Sequence, residues 1–218
     1  MNRDERALAR ILFQNKVLKA DGQAYEDLFC EVMRLAYPSF RTVKPHGQKG
    51  DRSNDGYITD LGRYFQVYAP EDPTKTRSKN HAVRKARDDF DDLISFWDEV
   101  EEVKSYRFTF NDKYRGAYPK LEKAASEIEE EYNLDSAATF LAGDLEDELF
   151  GLDESDILSV ISFPPPPSQI ERVDYSELEK VISYLMENST VPDGSENLTV
   201  PDFGEKIEFN GLGERTRH

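Results

Sequence analysis

A short stretch in the first third of the chain carries oxygen-bearing side chains at a spacing that suits a divalent cation. The segment GDRSNDGYITDLGRYFQVY, from Gly50 to Tyr68, places Asp51 and Asp55 around a turn and then returns Gln66 beside them. Hard cations such as Mg²⁺ are bound in proteins through carboxylate, amide and carbonyl oxygens. A cation held in this way polarises a phosphoryl oxygen and acidifies water, which is the chemistry of phosphodiester hydrolysis.

A predicted hairpin positions these groups. Residues 56–59 and 63–69 read as two strands, and the segment 60–62 reads as the tight turn between them. Because side chains two apart on a strand project from the same face, Gln66 and Tyr68 share one face of the sheet. We expect Asp55, which heads the first strand, to point the same way.

The hydrophobic pattern predicts alternating helices and strands over residues 1–163. Predicted helices cover 5–16, 24–37, 78–103 and 119–132 and begin again at 144; predicted strands cover 40–45, 56–59, 63–69, 106–110 and 137–142. This order is typical of a three-layer α/β fold in which a mixed sheet is flanked by helices. On the second helix Glu26 lies one turn in, and we expect it to reach the hairpin as a further oxygen ligand.

Four consecutive prolines, Pro164 to Pro167, cannot continue a helix or a central strand. They predict a stiff extended spacer that closes the domain at about residue 163. Residues 164–218 are therefore predicted to form this spacer, one helix over 175–187 and an extended arm. The ending GERTRH suggests that the arm leads to a further C-terminal domain.

The net charge of -16 is unevenly distributed along the chain. Residues 1–90 carry 17 Lys and Arg against 13 Asp and Glu, a net of +4, and residues 91–218 carry 11 against 31, a net of -20. A basic front suits contact with phosphates, while an acidic rear repels non-specific polyanions. The alternative is that the acidic helices are ordinary solvated surface.

Composition also restricts the compartment. No run of 18 apolar residues occurs and the start MNRDERALAR lacks an apolar signal segment, so we expect no membrane partner. The single cysteine, Cys30, lies in an apolar helical pattern and is predicted to be a core thiol in a reducing cytoplasm. His46, beside a glycine, is interpreted as a loop histidine rather than a ligand, and Phe90, Phe96 and Trp97 as a buried helix stripe.

Three short motifs together carry a family resemblance. Tyr25-Glu26, the loop from Gly50 to Gly56, and Gln66-Val67-Tyr68 resemble the Mrr-type branch of the restriction-endonuclease-like, or PD-(D/E)xK, superfamily. Its pattern is a helical Glu, a G-D-x-x-x-D-G loop and a Q-x-K strand. The resemblance covers roughly residues 20 to 110. It implies a restriction-endonuclease-like α/β core and a nuclease that depends on Mg²⁺ or Mn²⁺, with DNA rather than RNA as the substrate.

The resemblance also assigns roles to individual residues. Asp55 takes the place of the central metal-binding aspartate, Gln66 that of the second ligand, and Glu26 that of the helical acid. Asp51 is a further predicted metal ligand from its place in the same loop. Tyr68 occupies the lysine position of the catalytic set. A lysine there orients the attacking water and stabilises developing charge, which a neutral phenol cannot do.

Two alternatives follow from the tyrosine. In one, a lysine from elsewhere substitutes, and the candidates within reach are Lys44, Lys49, Lys79 and Lys85. In the other, the domain binds nucleic acid, a nucleotide or a protein partner without cutting it.

The remaining predictions concern partners. The runs QVYAPED, FTFNDKYRG and GDLEDELFGL are similar to N-terminal effector regions of prokaryotic ABC-three-component conflict systems. This similarity implies an antiviral defence role, with protein partners reached through the C-terminal arm. The predicted substrate-binding residues are Lys49, Arg52, Lys79, Lys113 and Arg115, and residues 75–87 are a candidate phosphate-contacting strip. The same residues equally suit an ordinary polar loop and a solvated helix start.

Overall fold

The computed structural model describes residues 1–43 and 52–161. The predictions for Lys44, His46, Lys49 and Asp51 lie outside the described residues, as do those for the proline spacer and the arm over 164–218.

One five-stranded sheet forms the middle layer. Its strands are β1 (Phe40–Thr42), β2 (Gly56–Ile58), β3 (Arg63–Tyr68), β4 (Ser105–Phe110) and β5 (Ser136–Leu141), in the spatial order 1-2-3-4-5. The first three strands pair antiparallel, whereas β3, β4 and β5 pair in parallel. The predicted mixed sheet is therefore confirmed.

Helices cover both faces of this sheet. They are α1 (Arg3–Lys19), α2 (Gly22–Ala36), α3 (Thr76–Trp97), α4 (Pro119–Tyr132), α5 (Ala142–Phe150) and α6 (Glu154–Ile161). Residues of α1, α2, α5 and α6 share one buried core with Phe65 and Val67 of β3. Residues of α3 and α4 share a second core with Tyr64 of the same strand. Because alternate residues of β3 enter different cores, the predicted three-layer α/β arrangement is confirmed. None of the described helices is long and apolar enough to cross a membrane.

The predicted hairpin is present, and a short 3₁₀ turn, Thr59–Leu61, joins its strands. Gly62 follows with φ of 54°, a left-handed conformation that favours glycine. A Cβ atom there would also lie 2.8 Å from the carbonyl oxygen of Glu102. Tyr57 and Tyr64 are paired across the strands and their rings stack 5.1 Å apart, which holds the register of the hairpin.

The predicted helix over 78–103 ends early, at Trp97. The acidic residues that follow, Glu99, Glu101 and Glu102, would add negative charge to the negative end of the helix dipole. The Asp98 side chain instead accepts the Val103 backbone N–H at 3.0 Å, which directs the chain into β4. Two smaller corrections concern the last described helices: α5 begins at residue 142 rather than 144, and α6 is a separate helix.

The interpretation of Phe90, Phe96 and Trp97 as one buried stripe is wrong for Phe96. Phe90 is fully buried and Trp97 packs 6.0 Å from the Tyr64 ring, whereas Phe96 is 40% exposed. Residues 90, 93 and 97 recur at helical spacing on one face, and successive residues are rotated by about 100° around a helix axis. Phe96 is therefore turned away from the core.

Candidate functional site

Asp55 is held at the open end of the hairpin. It is 5% exposed and directly precedes β2, and its backbone N–H donates to the Phe65 carbonyl oxygen at 3.0 Å. Its carboxylate oxygen Oδ2 accepts the Val67 backbone N–H at 2.5 Å. The side chain thus continues the strand ladder one step beyond β2. This contact fixes the carboxylate beside β3 and is itself a structural role for Asp55.

Gln66 lies on β3, across the strand pair from Asp55, and is also 5% exposed. Its Nε2 atom donates to the Val67 carbonyl oxygen at a long 3.4 Å, and its Oε1 atom is buried with no hydrogen-bond partner within the described residues. A flipped amide would set Oε1 against that carbonyl oxygen, so Nε2 is the atom that faces it. An unpaired buried acceptor costs about 1–3 kcal/mol. The strand therefore presents an oxygen that favours a cation or a donor.

Tyr68 shares the α3-facing side of β3 with Gln66, as the two-residue spacing predicts. Its ring lies 5.1 Å from the His81 ring and stacks on the Phe110 ring at 6.0 Å. Burial raises the pKa of the Tyr68 phenol, and the nearby Arg77 only partly opposes this shift. The phenol is neutral at physiological pH, so it supplies neither a cation nor a base.

One stripe of α3 contacts the hairpin at Tyr68. Arg87 and Asp91 turn toward α4, where they contact Glu127 and Tyr132. On another side of the helix His81 packs on Tyr68, which follows Gln66 by two residues. Because i and i+4 residues lie on one helix face, Lys85 and Asp89 continue the stripe that begins at His81.

Lys85 and Asp89 form a half-buried ion pair on this stripe. They lie between His81, which packs on Tyr68 at one end of β3, and Trp97, which packs on Tyr64 at the other. On β3, Gln66 likewise lies between Tyr68 and Tyr64.

Tyr106 links this ion pair to the hairpin. The phenol is buried, and its hydroxyl lies 3.5 Å from the Ala86 carbonyl oxygen of α3. Burial raises its pKa well above the ordinary value, and the carboxylates of Asp89 and Asp55 raise it further. Both carboxylates are therefore close to one buried phenol, which places Asp55 and the Lys85–Asp89 pair in the same neighbourhood.

Glu26 lies in the opposite helical layer, and the Cys30 thiol lies near both it and Asp55. Glu26 precedes Cys30 by four residues on α2, and the Cys30 thiol lies 3.9 Å from the Asp55 backbone carbonyl oxygen. Burial raises the pKa of this thiol to about 12, with smaller contributions from Glu26 and Asp55. Cys30 is a buried thiol, as predicted, and it is not poised for reaction.

The predicted substrate-binding residues that the structure describes do not form one group. Lys79 and Lys113 lie near the carboxyl ends of β3 and β4: the Lys79 Nζ atom is 5.9 Å from the Tyr118 ring, and Lys113 Nζ donates to the Glu71 carbonyl oxygen at 3.0 Å. Arg115 lines a cleft of about 430 Å³ with Lys113. Arg52 instead lies 5.1 Å from the Phe96 ring, at the far end of α3.

The loop after β4 has a structural explanation. Asp112 is buried, and its carboxylate accepts the backbone N–H groups of Gly116 at 2.6 Å and Ala142 at 3.0 Å. Asn111 donates to the Val17 and Ala20 carbonyl oxygens. These contacts tie the loop to α1 and α5 and account for its polar composition without a ligand.

Sequence reasoning missed His81 and Tyr118 and gave Asp89 no role. His81, Lys85 and Asp89 are spaced four apart in a predicted helix, a signal that the sequence does contain. Tyr118 precedes the predicted acidic helix and carries no such pattern. Its place beside Lys79 depends on the tertiary fold.

The described residues supply only part of a metal site. Across residues 1–43 and 52–161, no group of three or more His, Cys, Asp or Glu side chains is arranged to hold a metal ion. Asp55 and Gln66 are oxygen donors, which suit Mg²⁺ or Mn²⁺, and the unpaired Gln66 Oε1 atom fits such an ion. Asp51, a further predicted ligand, lies outside the described residues.

Comparison with known proteins gives no assignment, since no family model, no curated protein and no solved structure matches this chain. The described part of the chain is an α/β protein with a five-stranded mixed sheet between two helical layers. Its function must therefore be inferred from the residues of the site.

Proposed function

We propose that this chain is a metal-dependent nuclease-like protein that acts on DNA phosphodiesters and has a restriction-endonuclease-like core. The observation that carries the proposal is the unpaired Oε1 atom of buried Gln66, beside the buried Asp55 carboxylate on one hairpin. An unpaired amide oxygen in a water-poor site is a costly arrangement for a purely structural hairpin. A bound divalent cation removes that cost.

Asp55, Gln66 and Glu26 are the described residues that would hold the cation. When bound, Mg²⁺ or Mn²⁺ polarises a phosphoryl oxygen and lowers the pKa of water. The protein's own contribution is to fix the oxygens in advance, because the Val67 N–H orients the Asp55 carboxylate and the Val67 carbonyl oxygen orients the Gln66 amide.

Lys85 takes the role that Tyr68 cannot fill. Of the two candidate lysines within the described residues, Lys79 lies over the Tyr118 ring, whereas Lys85 pairs with Asp89, which lies near the same buried Tyr106 phenol as Asp55. Asp89 holds the Lys85 ammonium in place, and a positioned cation at this point stabilises negative charge on a transferring phosphate. The carboxylate of Asp89 is thus a positioning group.

The second candidate function is a catalytically inactive module with the same fold that binds nucleic acid, a nucleotide or a protein partner. It is favoured by the neutral Tyr68 phenol and by the Asp55–Val67 contact, which gives Asp55 a role without a metal. The place in a prokaryotic defence system, the protein partners of the arm and the cytoplasmic location stay predictions from the sequence.

Metal binding is tested by isothermal titration of Mg²⁺ and Mn²⁺ into the wild-type chain, Asp55→Asn and Gln66→Met. Asparagine keeps an oxygen that accepts the Val67 N–H, so the hairpin is preserved while the charge is lost. We expect wild type to bind and both variants to bind at least about tenfold more weakly. Asp60→Asn, in the hairpin turn, removes one carboxylate outside the site and is the matched control. Equal heats from wild type and Asp55→Asn would contradict metal binding here.

A further inference from the structure

A cluster of partly exposed rings lies at the carboxyl ends of β3 and β4. We call Tyr68, His81 and Tyr118 the stacking surface. Tyr68 and Tyr118 both pack on the buried Phe110 ring, at 6.0 and 6.2 Å, and His81 packs on Tyr68 at 5.1 Å. His81 is exposed and the two tyrosines are half-buried. The buried Phe110 supports the cluster from below.

Cations surround the stacking surface. Residues 75–87 carry six Lys and Arg and no Asp or Glu. Three of the six pair with carboxylates, namely Lys75 with Asp72, Lys85 with Asp89 and Arg87 with Glu127. The other three, Arg77, Lys79 and Arg84, form no ion pair within the part of the chain that the structure describes.

These cations are not explained by the stability of α3. Arg77 and Lys79 lie in its first turn, where the helix dipole is positive and cations are unfavourable by about 0.3–1 kcal/mol each. The first turn contains no acidic residue, and Lys75 at the N-cap makes no side-chain capping bond. A sequence selected only for helix stability would place Asp, Ser or Glu at these positions. An anion bound at this end of α3 would compensate for these charges.

We propose that the stacking surface binds the bases of an unpaired DNA strand while Arg77 and Lys79 contact its phosphates. Proteins that bind single strands combine a basic track with aromatic rings on which bases stack. In a duplex the base faces are already stacked on each other and are closed to side-chain rings. A surface that bound duplex phosphates would require only cations. Because rings and cations occur together here, the surface favours a single strand over a duplex.

This inference rests on the proposed function, because it names the form of DNA that reaches the same site. Tyr68 follows Gln66 by two residues on one face of β3, and His81 precedes Lys85 by one helical turn. A strand that stacks on Tyr68 and His81 thus places its next phosphates toward Gln66 and Lys85. The substrate predicted for cleavage is a single strand, or a duplex end or flap with unpaired bases.

Binding is tested by fluorescence anisotropy of labelled oligodeoxynucleotides with the full chain in EDTA, so that neither a metal nor cleavage contributes. The probes are a single-stranded oligothymidylate, a duplex of equal length and a single-stranded RNA of the same sequence. We expect the single-stranded DNA to bind at least about tenfold more tightly than the duplex. Equal binding of single strand and duplex would overturn the inference, and binding of the RNA alone would overturn the assignment to DNA.

Two sets of variants separate stacking from charge. His81→Ala, at an exposed position, should weaken single-strand binding by roughly fivefold to a hundredfold, whereas His81→Phe keeps a ring and should retain affinity. The salt dependence of binding is the slope of log K against log salt concentration. The double variant Arg77→Gln, Lys79→Gln should make this slope shallower by about 1.4, or 0.7 per lost phosphate contact. The matched control is Lys120→Gln, Lys123→Gln, which removes two exposed charges from α4.

The outcomes distinguish this inference from the proposed function. If His81→Ala and the Arg77, Lys79 double variant bind single strands like wild type, the stacking surface is refuted whatever the metal does. If these variants lose binding but Asp55→Asn takes up Mg²⁺ like wild type, the surface stands and the nuclease proposal fails.

Discussion

Replacing Gln66 with methionine tests the meaning of its unpaired oxygen. Methionine is close to glutamine in length and volume. On the α3-facing side of the sheet, the neighbours of position 66 include the buried aromatic residues Tyr64 and Phe108. The change removes an acceptor that costs about 1–3 kcal/mol while it is unpaired. It gives up only the 3.4 Å contact from Nε2 to the Val67 carbonyl oxygen, which is too long to contribute much.

We therefore expect Gln66→Met to be more stable than wild type by about 1–2 kcal/mol in EDTA. For a chain of 218 residues this corresponds to a rise in Tm of about 2–8 °C. Added Mg²⁺ should reverse the order. A free concentration 100 times the Kd stabilises wild type by about 2.7 kcal/mol, and the variant, without the amide oxygen, gains much less.

The assay is urea unfolding followed by circular dichroism, with EDTA and then with excess Mg²⁺. Thr109→Val is the matched control, because Thr109 is also fully buried with an unpaired oxygen but projects from the other face of the sheet. It should raise stability in EDTA and keep the full response to Mg²⁺. The reasoning is refuted if Gln66→Met is destabilised by about 1 kcal/mol or more in EDTA, since its amide would then have a structural partner.

Three further predictions concern neighbouring groups. Asp55→Ala should lower the free energy of unfolding by about 1.5–3 kcal/mol, and Asp55→Asn should lower it by much less. The reason is that only alanine leaves the Val67 N–H without its acceptor. Urea unfolding in EDTA measures both changes. Lys85→Met should reduce the rate of DNA cleavage by about 10²- to 10³-fold. Tyr68→Phe should leave this rate unchanged because the phenol is neutral. A loss of cleavage in Tyr68→Phe would favour a direct role for the hydroxyl. Burial raises the pKa of Tyr25 and Tyr106 in the folded state. The stability that these neutral phenols contribute is fully present below the ordinary tyrosine pKa near 10, and it is lost as the pH rises through their folded-state pKa values. Phenolate absorbance and circular dichroism should consequently change together in alkali, and titration of all tyrosines in a chain that stays folded would contradict the buried assignment.

The fold could be predicted where local patterns decide it. The turn residues Asp60 to Gly62 and the alternation along β3 specify the hairpin, and the face shared by Gln66 and Tyr68 follows from the geometry of a strand. The end of α3 was missed because no glycine or proline marks it, and the contact of Asp98 with the Val103 N–H joins residues five apart in the sequence.

The site could be predicted only in part. Gln66 is a polar residue within an otherwise apolar strand, which is visible in the sequence. The proximity of Asp89 and Asp55 to one buried phenol is not visible, because it depends on how α3 crosses the sheet. Phe96 was misplaced for a different reason: one residue step rotates the side chain by about 100° around α3, which turns Phe96 away from the core face of Phe90 and Trp97.

Cleavage of labelled single-stranded DNA in Mn²⁺ tests the central claim most directly. The wild-type chain should give products that EDTA abolishes and that Asp55→Asn fails to form, while Asp60→Asn cuts like wild type. No products from wild type at high protein concentration, or equal products from Asp55→Asn, would contradict a nuclease built on the Asp55 and Gln66 oxygens.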